Sequence, residues 1–189
     1  FRPERFFQWR HFWNFGGGCL TDLMTHWIDV VHWYMDVTAP LTAVATAHNY
    51  RMKTWQWPDT ATAILEYPRD FLVTHTGAYG SSIDDGGLEF RGNEATLKID
   101  RQRLLVFSEE RDRSGRRDSR EPEITVRSPA DGTVAHLRNW LDCIRSRKTP
   151  SAPMRVGHQA VRAAQIANAA MALGGRARFD EKTGKVDRG

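Results

Sequence analysis

The chain has 189 residues, of which 40% are hydrophobic and 11% aromatic, so its composition is that of a folded domain with a core and excludes a disordered chain. The formal net charge is only +4, and the charged run at residues 109–121 mixes both signs without an aromatic residue, which argues against a nucleic-acid-binding surface. No apolar run approaches the ~20 residues of a transmembrane helix. Cys19 and Cys143 are too few for a disulfide framework, and we expect both thiols to be reduced.

A helix is predicted over residues 21–35, after an N-terminal segment that is rich in aromatic residues and arginine. Thr21 or Asp22 is suited to be its N-cap. Apolar residues recur with helical period on one broad face: Leu23, Met24, Trp27, Ile28, Val30, Val31, Tyr34 and Met35. The polar residues fall on the other face: Asp22, Thr25, His26, Asp29, His32 and Asp36.

The pattern then changes to the alternation that is typical of strands. Strands are predicted over residues 41–50, 60–67, 71–79, 88–92, 95–100, 103–109 and 123–127. Two further helices are predicted over residues 134–147 and 157–175, the second ending at Gly174. Consecutive strands on short turns indicate a mainly antiparallel open sheet with helices packed on one face, an α+β fold. We expect a single domain over residues 1–189, with a flexible tail from residue 175.

The polar stripe of the first long helix contains a possible site. Asp22, His26 and Asp29 follow one another at i, i+4 and i+7, so an α-helix aligns them on one face, where Asp22 can orient the imidazole of His26. The alternative is an ordinary solvated face with Asp22 as the cap. Trp33 within the stripe and the three glycines at 16–18 favour a site, because consecutive glycines are costly unless a close approach requires them.

Other kinds of site are poorly supported by the sequence. Asp and His are possible metal ligands, but neither an HExxH motif nor a cysteine cluster is present, and we predict no resident metal. The glycine run lacks the spacing of a GxGxxG phosphate cradle. The loop WQWPD, residues 55–59, has two interpretations: its tryptophans form the wall of a pocket for a polar ring-shaped ligand, or they cover the core.

The run GGGCLTDLMTHWIDVVHW, residues 16–33, resembles the GG-x(3)-D-x(3)-H-x(2)-D signature of the Gfo/Idh/MocA family of oxidoreductases. The resemblance extends to WRHFWNF before the glycines, to WPDTATAILEYP at 57–68 and to the helical region 136–180. It covers only the second half of such enzymes. Their Rossmann domain, with GxGxxG and an E-K-P lysine, has no counterpart here, so we expect the chain to be the C-terminal substrate and oligomerisation domain.

The resemblance implies roles for particular residues. His26 would be the acid/base for the substrate hydroxyl that becomes a carbonyl, and Asp22 would orient His26 and hydrogen-bond the substrate. The candidates for further substrate contacts are Arg10, Trp13, Gly17, Asp29 and Trp57. NAD or NADP would be bound mainly by the protein's own N-terminal Rossmann domain, so no cofactor-binding residue is assigned in this chain.

The implied function is the C-terminal half of an NAD(P)-dependent oxidoreductase that acts on a hydroxyl or carbonyl group of a sugar, polyol or cyclitol. We expect this chain alone to be inactive. The alternatives are an NAD-dependent glycosidase of the same family and a non-catalytic binding or oligomerisation module. Strand 71–79 alternates with apolar groups on both sides, which predicts a homo-oligomer formed through the open sheet face. We expect a cytoplasmic protein that binds neither nucleic acid nor a membrane.

Overall fold

The three helices that periodicity predicts are present, and a short N-terminal helix that was not predicted precedes them. The computed structural model describes residues 1–81, 86–109, 121–180 and 182–189. The helices are α1 (Pro3–Phe7), α2 (Thr25–Met35), α3 (Thr133–Ser146) and α4 (Met154–Leu173), and a 3-10 turn (Trp9–His11) and a π-helical turn (Leu20–Met24) precede α2. Gly174 adopts a left-handed conformation (φ 61°) and ends α4, as predicted. None of the helices in the described ranges is long and apolar enough to cross a bilayer.

The strands group into two antiparallel sheets, so the predicted α+β fold is confirmed. The chain divides into two compact units, one of residues Phe1–Ser82 and Ala152–Gly189 and the other of residues Ile83–Ser151. The sequence indicates that the whole chain is a single domain, and this stays a prediction. Most of the charged run at 109–121, predicted to be a loop, lies outside the described residues.

The first unit contains a five-stranded sheet. Its strands, in sheet order, are β3 (Phe71–Ala78), β2 (Thr60–Tyr67), β1 (Thr42–His48), β8 (Ala177–Asp180) and β9 (Lys185–Arg188). Strands β1, β2 and β3 pair in full register, with Val44 opposite Ile64 and Ile64 opposite Thr74. The C-terminal residues, which were predicted to be a flexible tail, instead form the β8–β9 hairpin, because β8 finds free backbone groups along β1 next to Thr42 and Ala43.

The core of this unit lies between one face of the sheet and the helices α2 and α4. Alternate residues of β2 point inward and are buried, and α4 packs against β1, β8 and α2. Alanines on α4 allow this close approach: Ala160, Ala163, Ala164, Ala167 and Ala170 are all buried. On the opposite face of the sheet, Leu72 is 63% exposed and Ile64 is 41% exposed. This arrangement leaves an open face, as the alternation of strand 71–79 indicates.

The second unit contains a four-stranded sheet and α3. The sheet order is β4 (Leu88–Arg91), β5 (Ala95–Ile99), β6 (Arg103–Ser108) and β7 (Ile124–Arg127). The strand positions agree with the prediction, but the strands belong to two sheets rather than one. The connection from β3 to β4, residues 79–87, is longer than the tight turn that keeps consecutive strands paired as a hairpin.

Candidate functional site

The helical segment that carries the predicted site starts earlier than expected. The backbone is already helical before Leu20, so Asp22 lies inside the segment and is not its N-cap. The π-helical turn Leu20–Met24 contains Asp22, and α2 begins directly after it. A π-helical turn accommodates an extra residue, which shifts the register between the residues on either side of it. The i, i+4 alignment of Asp22 with His26 that holds in an ideal α-helix is therefore altered.

The carboxylate of Asp22 is held by two donors from other parts of the chain. Arg10 Nε donates to Oδ1 over 3.0 Å, and the hydroxyl of Tyr79, just after β3, donates to Oδ2 over 2.9 Å. Burial, and then the hydrogen bond to Asp22, raise the pKa of Tyr79, so the phenol stays protonated and able to donate. We name these three residues the Arg10–Asp22–Tyr79 cluster.

One side of the cluster is an aromatic wall. The His11 ring stacks on Trp55 with centroids 3.4 Å apart and meets the edge of Tyr79 at 4.8 Å. Burial lowers the pKa of His11 even though the nearby Asp22 carboxylate acts to raise it, so the imidazole is neutral at physiological pH. His11 and Tyr79 were not singled out in the sequence. The only signal was their place in the aromatic lead-in and at the end of a strand.

The structure does not bring His26 and Asp29 into the cluster. His26 is exposed at the start of α2 and makes no hydrogen bond within the described part of the chain, so the expected Asp22–His26 bond is not formed. Asp29 is partly buried, and this burial raises its pKa. The spacing alone predicted that the side chains of Asp22, His26 and Asp29 form one aligned row. The carboxylate of Asp22 is instead turned towards Arg10 and Tyr79.

The prediction that one face of α2 is polar is also partly wrong. His32 is buried, with Nε2 2.8 Å from the hydroxyl of Tyr67, and burial assisted by the charge of Arg162 lowers its pKa to about 4. Trp33, which suggested that the stripe is covered, is 77% exposed in this chain. A neutral histidine with a hydrogen-bond partner fits in the core, so the type of residue alone did not reveal its side of the helix.

The glycine run packs against the chain's own atoms. A Cβ on Gly16 would lie 2.5 Å from the carbonyl oxygen of Arg10, and a Cβ on Gly17 would lie 2.3 Å from Thr21 Oγ1. Gly18 combines a left-handed φ of 67° with a space of only 2.7 Å to Trp57 Cβ. All three glycines are therefore required by packing within this chain, a close approach of protein to protein that the sequence could not distinguish from the approach of a ligand.

Three of the predicted substrate-binding residues meet in a different place. Trp13, Gly17 and Trp57 line a pocket of about 420 Å³, together with residues 14–16 and Gln165. The rings of Trp13 and Trp57 lie 4.0 Å apart at 37°. Trp57 is only 8% exposed, so it both covers the core and lines the pocket, and the binding of a ring-shaped ligand there stays a prediction. Arg10, Asp22 and His26 do not line this pocket.

The loop at residues 55–59, which carries Trp55 and Trp57, is fixed by Asp59. Its carboxylate accepts hydrogen bonds from the backbone N–H groups of Tyr50, Arg51 and Met52 and from the hydroxyl of Thr60. Burial acts to raise the pKa of Asp59, but these hydrogen bonds together lower it to about 2. Asp59 is thus an ionised anchor at the end of the loop.

The comparison with protein families decides where the chain belongs. The family model described as the C-terminal alpha/beta domain of the oxidoreductase family, Gfo/Idh/MocA, matches residues 1–177. The chain belongs to the Gfo/Idh/MocA family. This confirms the resemblance seen in the sequence, and it identifies the chain as the C-terminal domain of that family. No curated protein matches this Gfo/Idh/MocA domain by sequence.

Solved structures similar to this Gfo/Idh/MocA domain share its fold at low identity. The WlbA dehydrogenase from Bordetella pertussis, in complex with NADH and UDP-GlcNAcA, is 15% identical with a TM-score of 0.60, and the match covers 95% of this chain and 51% of that one. The aldose-aldose oxidoreductase from Caulobacter crescentus, complexed with glycerol, is 18% identical with a TM-score of 0.66 over 91% and 51% of the two chains. The UDP-N-acetylglucosamine 3-dehydrogenase GnnA from Acidithiobacillus ferrooxidans is 15% identical with a TM-score of 0.65 over 90% and 50%. The chain spans about half the length of these proteins.

Proposed function

We propose that the intact protein containing this chain is an NAD(P)-dependent oxidoreductase that acts on a hydroxyl or carbonyl group of a sugar, polyol or cyclitol. The observation that carries this proposal is the family match over residues 1–177. Similar folds in a dehydrogenase solved with NADH and UDP-GlcNAcA and in an aldose-aldose oxidoreductase solved with glycerol support the same class of chemistry. Because the chain spans half of those proteins, we expect the isolated chain to be inactive.

In this proposal His26 moves the proton. Oxidation of an alcohol to a carbonyl releases the hydroxyl proton, and an exposed imidazole can accept it at a ring nitrogen and return it in the reverse reaction. The Asp22 carboxylate supplies fixed negative charge nearby and hydrogen-bonds a substrate hydroxyl, while Arg10 and Tyr79 prevent it from rotating. Orientation of His26 by Asp22 would then require the substrate between them rather than a direct hydrogen bond.

The nicotinamide cofactor supplies the redox chemistry when bound, and the described residues do not fit as its holder. The glycine run is filled by the chain's own Arg10, Thr21 and Trp57 and offers no open cradle for phosphate groups. We therefore assign cofactor binding to the Rossmann domain that the resemblance implies, and the choice between NAD and NADP to that domain as well.

Substitution of His26 tests the proposal. In the intact protein, His26→Ala should lower the turnover of NAD(P) with a polyol or sugar substrate by roughly 10²–10⁴-fold, because general acid–base catalysis is lost. His158→Ala, an exposed histidine on α4, is the matched control and should leave turnover unchanged. Turnover of His26→Ala close to that of the wild type would remove His26 from the mechanism, and product analysis that shows net hydrolysis would favour the glycosidase.

A further inference from the structure

The N-terminal turn of the first unit presents aromatic side chains to solvent. Phe6 and Phe7 on α1 are 63% and 74% exposed, and Trp9 in the following 3-10 turn is 43% exposed. We name Phe6, Phe7 and Trp9 the aromatic N-terminal surface. Large aromatic rings that are exposed together on a folded protein mark an interaction surface, because aromatic residues are enriched in the buried centres of interfaces.

The chain holds this surface in a fixed place. Arg5 lies over the ring of the buried Phe12, with its guanidinium carbon 5.2 Å from the ring centroid. Phe6 and Phe7 meet edge to face with centroids 5.1 Å apart, so the two rings contact each other while both stay exposed. Because the surface is in place before a partner binds, the entropy cost of binding is lowered.

The aromatic N-terminal surface adjoins the Arg10–Asp22–Tyr79 cluster. The guanidinium of Arg10 lies over the Trp9 ring, with its carbon 4.5 Å from the ring centroid, and the same side chain donates from Nε to Asp22. A single guanidinium thus separates the exposed ring of Trp9 from the carboxylate that we assign to the substrate. A body that covers Trp9 therefore lies beside the reacting groups.

The proposed reaction requires a second body at this place. Reacting atoms must approach to about 3–3.5 Å, so the domain that holds the nicotinamide has to rest on the rim of the cluster that binds the substrate. We propose that the aromatic N-terminal surface is the docking surface for the protein's own Rossmann domain. This inference rests on the proposed function and extends it by naming the residues that seat the cofactor-binding domain beside the site.

The length of the relatives and the charge of the segment favour this occupant over a second copy of the chain. The chain spans about half the length of similar solved structures, which leaves room for a domain of equal size in the intact protein. A tethered domain has a high effective concentration, so a small contact is sufficient to seat it. Residues 1–10 contain three arginines and one glutamate, so two copies of this surface would bring like charges together.

Side-chain oxidation of the intact protein tests the inference without turnover. Hydroxyl radicals oxidise the aromatic and sulfur-containing side chains that solvent reaches, and mass spectrometry measures each rate against that of the same residue in the unfolded protein. We expect Phe6, Phe7 and Trp9 to react about fivefold more slowly than their exposure in this chain indicates, because a docked domain excludes solvent. Met154, an exposed residue on α4, is the internal control and should stay reactive.

A charge placed on the surface tests what docking does for the reaction. Phe7→Lys in the intact protein should lower kcat about tenfold, because seating the Rossmann domain would bury an ammonium group next to arginines. The Kd for NAD(P) should be nearly unchanged, since the Rossmann domain itself holds the cofactor. Phe7→Leu, which stays apolar, should retain most of the turnover. Met154→Lys is the matched control and should behave as the wild type.

Three results would overturn the inference. They are full reactivity of Phe6 and Phe7 in the intact protein, protection that is lost on dilution to the monomer, and a Phe7→Lys variant that keeps both the wild-type kcat and the protection of Phe6. Loss on dilution would assign the surface to a second copy.

These results are distinct from a failure of the proposed function. Reactive rings in a protein with His26-dependent turnover would leave the proposed function standing without the docking surface. Protected rings in a protein without dehydrogenase turnover would leave the docking surface standing and contradict the proposed function.

Discussion

Asp22 is the group whose surroundings say most about the proposed chemistry. Both of its oxygens accept hydrogen bonds, one from a guanidinium and one from a phenol, and its side chain stays partly exposed. Hydrogen bonds to a charged group are stronger than those between neutral groups, so the carboxylate is well oriented before any ligand arrives. A substrate hydroxyl would thus meet an acceptor of fixed direction.

Removal of the Tyr79 hydroxyl tests this orientation. Tyr79→Phe should lower kcat of the intact protein by about tenfold, since a hydrogen bond to a charged acceptor contributes ~1.5–3 kcal/mol and its loss lets Asp22 rotate. Steady-state kinetics should show this fall with a smaller change in KM, and thermal unfolding should show that the variant is still folded at the assay temperature. Tyr50→Phe, at an exposed tyrosine, is the control. If kcat is unchanged, or if it falls because the variant is partly unfolded at the assay temperature, Tyr79 contributes to packing and not to positioning.

At the scale of single residues, the sequence indicated which residues belong to the site better than it indicated their hydrogen-bond partners. Arg10 and Asp22 were both identified as site residues, but their contact across twelve positions could not be predicted, because it depends on how the glycine run folds back on Arg10. The π-helical turn has no sequence signature of its own, so the spacing of Asp22 and His26 was interpreted as that of an α-helix.

At the scale of elements, the loop between β1 and β2 holds Trp55 next to the Arg10–Asp22–Tyr79 cluster and holds Trp57 in the wall of the pocket. Asp59 anchors the loop by its carboxylate, and Asn49 Oδ1 accepts from the N–H of Asp59 while its Nδ2 donates to the carbonyl oxygen of Trp55. Trp55 faces the Arg10–Asp22–Tyr79 cluster through His11. Trp57 lines the pocket that residues 13–17 and Gln165 form with it, so one loop supports both this pocket and the surroundings of the Arg10–Asp22–Tyr79 cluster.

Substitution of Asp59 should therefore loosen the whole loop. Asp59→Asn places an amide NH₂ where one oxygen accepts from backbone N–H groups, and we expect the free energy of unfolding to fall by ~1–3 kcal/mol at neutral pH. The pKa of Asp59 is lowered from 3.8 to about 2 in the folded protein, so its stabilisation is fully present above pH 4 and is lost as the pH falls towards 2. Unfolding curves of the intact protein from pH 7 downwards measure this difference.

The control for this prediction is Asp142→Asn, at an exposed carboxylate that pairs with Arg145 at the surface. It should leave the free energy of unfolding nearly unchanged. A constant difference between the wild type and Asp59→Asn from pH 7 to pH 2 would show that the charge of Asp59 is not what stabilises the loop.

Local periodicity predicted the elements and the antiparallel pairing of consecutive strands well, and the grouping of the strands into sheets poorly. The alternation in residues 60–67 and 71–79 predicted β2 and β3, whose register follows from a short turn. The division into two sheets and the addition of β8 beside β1 depend on contacts between residues far apart in the chain, for which a single sequence carries no direct signal.

At the scale of the whole molecule, the open face of the five-stranded sheet is the surface we propose for self-association. Val44, Ile64 and Thr74 form a row across three strands, and Leu72 projects from the edge strand. Branched apolar side chains on a flat sheet face are unfavourable in water when exposed together, and a second copy of the same face would bury them symmetrically.

A charge on this face should separate the copies. Leu72→Glu should lower the fraction of oligomer at micromolar concentration, because pairing would bury a carboxylate without a counter-charge, and light scattering on the intact protein measures the mass directly. Met154→Glu is the matched control, since Met154 is 90% exposed at the start of α4, away from the open face. A wild type that is strictly monomeric would contradict self-association altogether. An oligomer that survives Leu72→Glu but dissociates in Met154→Glu would move the interface to the helical side of the sheet.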